Sequence, residues 1–372
     1  MLSPADENEL VEAIASAKSP LKIQGGGTRP IGHDVEGQTI STAKMSGITL
    51  YEPGALTLVA KAGTPVGEIE NALNAEGQML AFEPMDHRAI FGVGQTPTIG
   101  GVVAGNVSGP RRVQAGACRD FLLGVRFVDG MGNLVKNGGR VMKNVTGYDL
   151  TKFLAGSRGT LGVLSEVSLK VLPKPEATKT VVLRGLSVED AVEAMSLAMT
   201  SPFEITGAAY LPTFDEGGSV TVLRIEGFEG SVTYRTGKLS ELLKSNSLED
   251  DAQNAPTWAW VRDAETFRGS ESDLWRISIK PTDAPTVAER LRGADLLLDW
   301  AGGLIWAGTA PGFDIRTQLA GIPGHATLIR ASSDAKRTLG VFHPEHDALT
   351  ALAHSIRQKF DPKGILNPGL MG

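Results

Sequence analysis

The sequence is poor in the residues that build metal clusters and covalent staples. It holds one cysteine, Cys118, in 372 residues. A disulfide framework, a thiolate zinc site and an iron–sulfur cluster of this chain's own each need several thiols, so all three are excluded. Basic charge is also short: 36 Lys and Arg stand against 42 Asp and Glu, a net charge of −6 with His neutral. Non-specific binding to nucleic acid or anionic lipid needs a basic face, and none is expected here. No apolar run approaches the roughly 20 residues of a membrane span, and Met1–Asp6 has no basic start followed by an apolar stretch. A cytoplasmic chain is the expectation.

Glycine is abundant instead, at 45 residues, and it clusters in the first half. Leu21–Gln24 reads as a strand that runs straight into Gly25-Gly26-Gly27-Thr28-Arg29-Pro30. By composition this is either a flexible turn or a phosphate-binding one, since glycine lets an anion approach bare N–H groups. It is not the dinucleotide fingerprint, since Pro30 stands where a third glycine belongs and no helix pattern follows. Nor is it a P-loop, which would end in Gly-Lys-Ser/Thr. Thr98–Gly109 (TIGGVVAGNVSG) offers a second set of bare amides, and Gly156–Gly162 (GSRGTLG) a third. Glycine loops alternating with strands suit a long ligand lying along the protein.

Around these loops the periodicities predict an ordinary framework. Ser3 caps a first helix with Pro4 at its start. Thr64 caps a second, with Pro65 first and Val66, Ile69 and Leu73 as its buried stripe. Ala81–Val93 reads as a loop. Leu122–Val128 and Val163–Val171 are strands, and Asp129–Asn133 is a hairpin turn. Tyr148–Leu154 reads as a short helix. Pro173 and Pro175 mark a boundary. Beyond it, short strands alternate with helices, among them one capped by Ser187, which fits a sheet covered on one face. Trp258–Thr266 resists assignment. His346–Lys359 is a final helix, and Pro362 and Pro368 stiffen the tail Ile365–Gly369.

Taken together, Gly25–Thr28, Pro97–Gly101, Asn106–Gly109, Arg119–Gly124, residues 143–150 (KNVTGYDL), Gly159–Gly162 and Asn367–Gly369 resemble the flavin-binding domain of the vanillyl-alcohol oxidase superfamily, also called PCMH-type. Within it the chain is similar to the small FAD-binding subunits of bacterial glycolate oxidase (glycolate dehydrogenase). The resemblance implies an α+β fold: a PCMH-type FAD-binding domain of two α/β subdomains in residues 1–175, an antiparallel-sheet cap with helices in 176–342, and a C-terminal helix and tail, 343–372, returning to the first domain. It implies that Gly25, Gly26, Gly27 and Thr28 donate amides to the pyrophosphate. Thr98, Gly100, Gly101, Ser108 and Gly109 would form the second wall. Gly159 and Val163 would lie near the adenosine end, and Asn367 on the ring side.

The function so implied is that of an FAD-binding subunit of a 2-hydroxy-acid (glycolate or D-lactate) dehydrogenase complex. Its partners would be a larger flavin subunit and an iron–sulfur subunit, the latter supplying centres that one cysteine cannot, and they would hold the chain at the inner face of the membrane. Alternatives are a stand-alone FAD oxidoreductase acting on an alcohol or sugar acid, and a flavin-free assembly subunit. FAD is expected to be non-covalent: Cys118 reads as a small packed residue, and the first loop lacks the histidine that covalent members often carry. Hydroxyl oxidation needs a base and a cation or metal for the carboxylate. No catalytic base stands out. His33 and His87 lie near the glycine loops, His343-x-x-His346 is a metal pair only if both face inward, and no metal site is assigned. Arg111 and Arg112 read as phosphate or surface residues. Arg224, Arg276 and Arg330 on cap strands read either as ordinary ion-pair partners or as carboxylate candidates.

Overall fold

The computed structural model describes residues 1–140, 148–215, 218–243 and 257–372. Most of the KNVTGYDL motif, residues 143–147, lies outside them. The chain begins with the helix Glu7–Ser16, whose N-cap is Asp6, not Ser3. The Asp6 carboxylate accepts from the Asn8 and Glu9 amides and outcompetes the serine hydroxyl for the helix start. Two strands follow, β1 (Leu21–Gln24) and β2 (Gln38–Ser41), paired in parallel. Leu10, Ile14, Leu21 and Ile40 close a small core on this first layer with Ile365 and Leu366 of the tail.

The second layer draws on β3 (Ile48–Glu52), β4 (Thr57–Lys61), β5 (Gln78–Met79), β6 (Leu122–Val128), β7 (Leu134–Gly138), β8 (Val163–Lys170) and β9 (Leu172–Pro173). Five of these form an antiparallel sheet in the order β3-β4-β8-β6-β7, while β5 pairs with β9. The hairpin after β6 turns at Asp129, whose carboxylate accepts from the Met131 and Asn133 amides. Thr64 does not cap the next helix, which starts at Val66. Its hydroxyl is spent on the Gly47 and Lys61 carbonyls.

The rest builds one seven-stranded antiparallel sheet: β10 (Ala177–Arg184), β11 (Ile205–Asp215), β12 (Gly218–Gly227), β13 (Asp273–Ile279), β14 (Asp295–Asp299), β15 (Leu304–Thr309) and β16 (Gly324–Arg330), in the order β10-β12-β11-β14-β15-β13-β16. Strand alternation gives its faces different tasks. Leu223, Ile225, Trp275 and Ile277 pack under the helices Val188–Thr200, Glu229–Leu243 and Ala284–Arg290. Val220, Val222, Leu274 and Trp306 join the core of the five-stranded sheet. This is a mixed helix-and-sheet α+β fold.

Ion pairs seal the contact between the halves. Arg224 donates both terminal nitrogens to Glu83, at 2.9 Å each, and lies over the Trp258 ring. Arg111 pairs with Glu226. The unassigned stretch proves to be a short helix, Trp258–Arg262, and the turn Glu265–Phe267. It belongs to this seal: Asp263 accepts from the Asp86 amide at 2.8 Å. The final helix, Asp347–Phe360, is capped by His346. The tail then runs beside β1, where Leu21 donates to Ile365 and Asn367 donates to Leu21.

Candidate cofactor site

Three glycine-bearing segments meet at a cleft of about 410 Å³. Gly25, Gly26, Gly27, Thr28, Gly100, Gly101, Gly159, Val163 and Asn367 all line it. β1 delivers the first loop to its floor, and the loop's geometry requires glycine. A Cβ on Gly26 would sit 1.7 Å from the Thr96 carbonyl oxygen, and Gly27 has φ +72°. Among the described residues, the backbone N–H groups of Gly25 through Arg29 find no acceptor in the protein. Five consecutive unpaired amides on a cleft form a concave donor surface for an anion.

The second segment differs from the loop its composition predicts. Residues Ile99–Ala104 form a short helix capped by Thr98, whose hydroxyl accepts from the Gly101 amide at 3.4 Å. Gly100 turns inward as well, its amide bonded to the Ala62 carbonyl at 2.8 Å. Ser108 and Gly109 stand outside the cleft lining. Ser108 Oγ accepts from the Cys118 amide. Gly109 donates to Phe82 O and accepts from the Trp300 indole. Asn367 reaches the cleft, yet both ends of its side chain are committed: Oδ1 accepts from Ile23 N at 2.7 Å and Nδ2 donates to Arg158 O at 2.8 Å. It ties β1 to the third loop.

Two cations that composition does not single out line the same cleft. Arg29 follows the first glycine turn directly, and Arg158 sits inside GSRGTLG. Burial pulls each guanidinium down to about 10, still charged at neutral pH. Arg29 is oriented by His87 Nδ1, 3.2 Å away, and by the Met85 carbonyl. Burial, then the Arg29 charge, holds His87 well below its usual pKa, so it stays neutral and accepts. Among the described residues the Arg158 side chain makes no hydrogen bond or ion pair, and its guanidinium carbon lies 5.3 Å from the centroid of the Phe342 ring. His33 lines the cleft. Cys118 is fully buried in the core and absent from the lining, and desolvation raises its thiol far above the range of a thiolate. Among the described residues no group of three or more metal-ligating side chains gathers around His343 and His346. Each spends Nδ1 on a backbone amide, of Ala326 and Ala348 respectively.

Comparison with known proteins places this arrangement. Residues 1–138 match the family model described as FAD binding domain. Glycolate oxidase subunit GlcE of Escherichia coli (strain K12) is 37% identical over 98% of this chain and 95% of its own length. The chain belongs to the PCMH-type FAD-binding superfamily. D-lactate dehydrogenase of Anaerostipes hadrus is 32% identical over 73% of this chain and 61% of its own length. Glycolate oxidase subunit GlcD of Bacillus subtilis (strain 168) is 28% identical over 61% and 47%. Two solved structures share the fold at a TM-score of 0.69 each. Alkyldihydroxyacetonephosphate synthase is 17% identical, covering 98% of this chain and 76% of that one. p-Cresol methylhydroxylase with substrate bound is 15% identical, covering 100% and 88%.

As a PCMH-type protein the chain is an FAD-dependent oxidoreductase, and the cleft suits its cofactor. A diphosphate needs several fixed donors, which the unpaired amides of residues 25–29 provide. Arg29 and Arg158 supply positive charge, and among the described residues no carboxylate lies at hydrogen-bond distance from either. Bound FAD supplies the two-electron acceptor for oxidising an alcohol carbon. The main-chain donors of residues 25–29 are the groups that could hold its diphosphate.

Proposed function

We propose that this chain is the FAD-binding subunit of a flavin-dependent 2-hydroxy-acid dehydrogenase complex acting on glycolate or D-lactate, and that its electrons leave through an iron–sulfur partner. The observation that carries the reading is the run of unpaired amides at Gly25–Arg29 on a cleft shared with Arg29 and Arg158. The near full-length likeness to a protein named as a glycolate oxidase subunit supports the complex. Cys118 alone cannot ligate an iron–sulfur centre, so the centres belong to another subunit. FAD is held non-covalently, by Gly25, Gly26, Gly27 and Thr28 at the pyrophosphate and by the Gly100–Gly101 wall. Gly159 and Val163 flank it, and Asn367 fixes the third loop to the first. Residues 1–175 and 343–372 act as the flavin unit and 176–342 as the cap. No helix among the described residues is long and apolar enough to cross a membrane, so contact with one runs through the partners.

Affinity isolation of the native protein, followed by identification of the co-purifying chains and assay of flavin and iron in the eluate, tests this. A second flavoprotein and an iron-bearing chain, with acid-releasable FAD, are expected. Turnover of glycolate or D-lactate by the isolated chain alone would refute the subunit role.

A further inference from the structure

At the face of the seven-stranded sheet that meets the N-terminal half stand two guanidinium groups that, among the described residues, no hydrogen bond or ion pair holds. Arg276 lies in β13 between Trp275 and Ile277, which point to the opposite core, so Arg276 faces the N-terminal half. Its guanidinium carbon is 5.1 Å from the centroid of the Trp300 ring, and that of Arg112, from the N-terminal half, is 4.6 Å from the same ring. Among the described residues neither side chain donates to any oxygen. Their neighbours behave otherwise. Arg111, Arg224 and Arg262 have carboxylate partners, and Arg330 has carbonyls of Ile90, Phe267 and Ser272.

The charges around Arg276 compound the imbalance. Burial, then Arg112 and Arg158, depress its pKa to about 10, with Asp299 opposing them. His325 and His343 stand beside the same cluster. Trp300 is aimed here by a left-handed turn, φ +53° at Trp300 and +57° at Ala301, conformations that residues other than glycine adopt only under strain. Its indole is anchored on the Gly109 carbonyl at 3.1 Å. Both side chains are only part-buried and none of their nitrogens is sealed from solvent, so an anion can reach them, and like charges gathered together favour one that does.

We infer that Arg112 and Arg276, on the Trp300 ring, form a receptor for a small carboxylate, the acid group of the 2-hydroxy-acid substrate. This rests on the function proposed above. A planar guanidinium fits a carboxylate two-pronged, and the Trp300 ring with Trp306, paired with Arg276 across β13 and β15, supplies apolar walls that limit size. The cofactor's diphosphate has separate donors: Arg112, Arg276 and Trp300 are all absent from the lining of the glycine cleft.

The test uses the full chain loaded with FAD, titrated with oxalate as a non-reacting carboxylate and with inorganic phosphate, reading tryptophan fluorescence. Oxalate should quench saturably. Arg276→Met and Arg112→Met should each weaken oxalate at least tenfold, Arg276→Lys less, with flavin content and melting temperature kept. Equal affinity in both Met variants overturns the inference, as does phosphate binding as tightly as oxalate. Loss of flavin in Arg276→Met and in Arg276→Lys with unchanged folding also overturns it, by assigning the arginine to the cofactor. A yellow wild-type chain that ignores oxalate sinks this inference and leaves the flavin reading standing. A chain that takes up no FAD yet binds oxalate through Arg276 does the reverse.

Discussion

Asp299 provides a pH-dependent handle on the contact between the halves. It is 3% exposed, and among the described residues its carboxylate has one hydrogen bond, from the Trp300 amide at 2.7 Å. Burial raises its pKa from 3.8 to about 7, against the lowering by that hydrogen bond and by Arg224. Below pH 4 both folded and unfolded chains carry the proton and nothing is lost. As pH rises, the unfolded chain ionises first, so stability falls between about pH 4 and 7 and the loss is complete above 7. A shift of ~3 units at ~1.4 kcal/mol each gives a cost on the order of 4 kcal/mol at pH 8. Asp299→Asn keeps an oxygen for the Trp300 amide and removes the ionisation. The variant should match wild type near pH 4 and melt higher at pH 8, with the gap opening between them, as followed by calorimetry on flavin-loaded protein. A variant less stable than wild type at pH 8 would refute the reasoning. It would mean that Asp299 is ionised and favourably held by Arg224 and Arg276.

Three other perturbations follow from the contacts. Glu83→Gln weakens the grip on the buried Arg224 and should cost ~3–5 kcal/mol in urea unfolding; a loss under 1 kcal/mol would contradict a sealed interface. Asn367→Ala removes both ties at Ile23 and Arg158, ~3 kcal/mol by melting, and should lower flavin retention at the same time. Gly26→Ala drives a methyl into the Thr96 carbonyl and should leave a folded cap with little flavin, read by the visible absorbance to protein ratio.

The glycine turns were legible because few residues other than glycine tolerate a main chain held so close to its neighbours. Gly26 against Thr96 and the left-handed Gly27 and Gly159 are such places. The same composition misleads at Gly100. Its missing side chain makes room for Ala62, 2.7 Å from where a Cβ would stand, rather than for a ligand, so a bulky residue there would strike the core first. Caps were half legible. Ser187 caps its helix as its spacing predicts, whereas Asp6 displaces Ser3 because the carboxylate reaches two amides. The cationic residues were hidden for a different reason. Arg29 and Arg158 resemble any surface arginine in one dimension, and Arg112 and Arg276, though named as candidates, could not be told from Arg111, Arg224 and Arg330; what separates Arg112, Arg158 and Arg276 is that among the described residues no protein oxygen takes their guanidinium groups, and pairing is set by tertiary contacts. Arg224 and Arg330, equally plausible from strand position, turned out to be committed to protein oxygens.

The central claim is that main-chain donors at Gly25–Arg29 grip the diphosphate of FAD. Its most direct test is to strip the purified protein of flavin and titrate it with FAD, with riboflavin for comparison, by calorimetry. The account predicts one FAD per chain, with riboflavin, which lacks the diphosphate, bound at least a hundredfold more weakly. Equal affinity for the two, or no uptake of either by a folded chain, would contradict it.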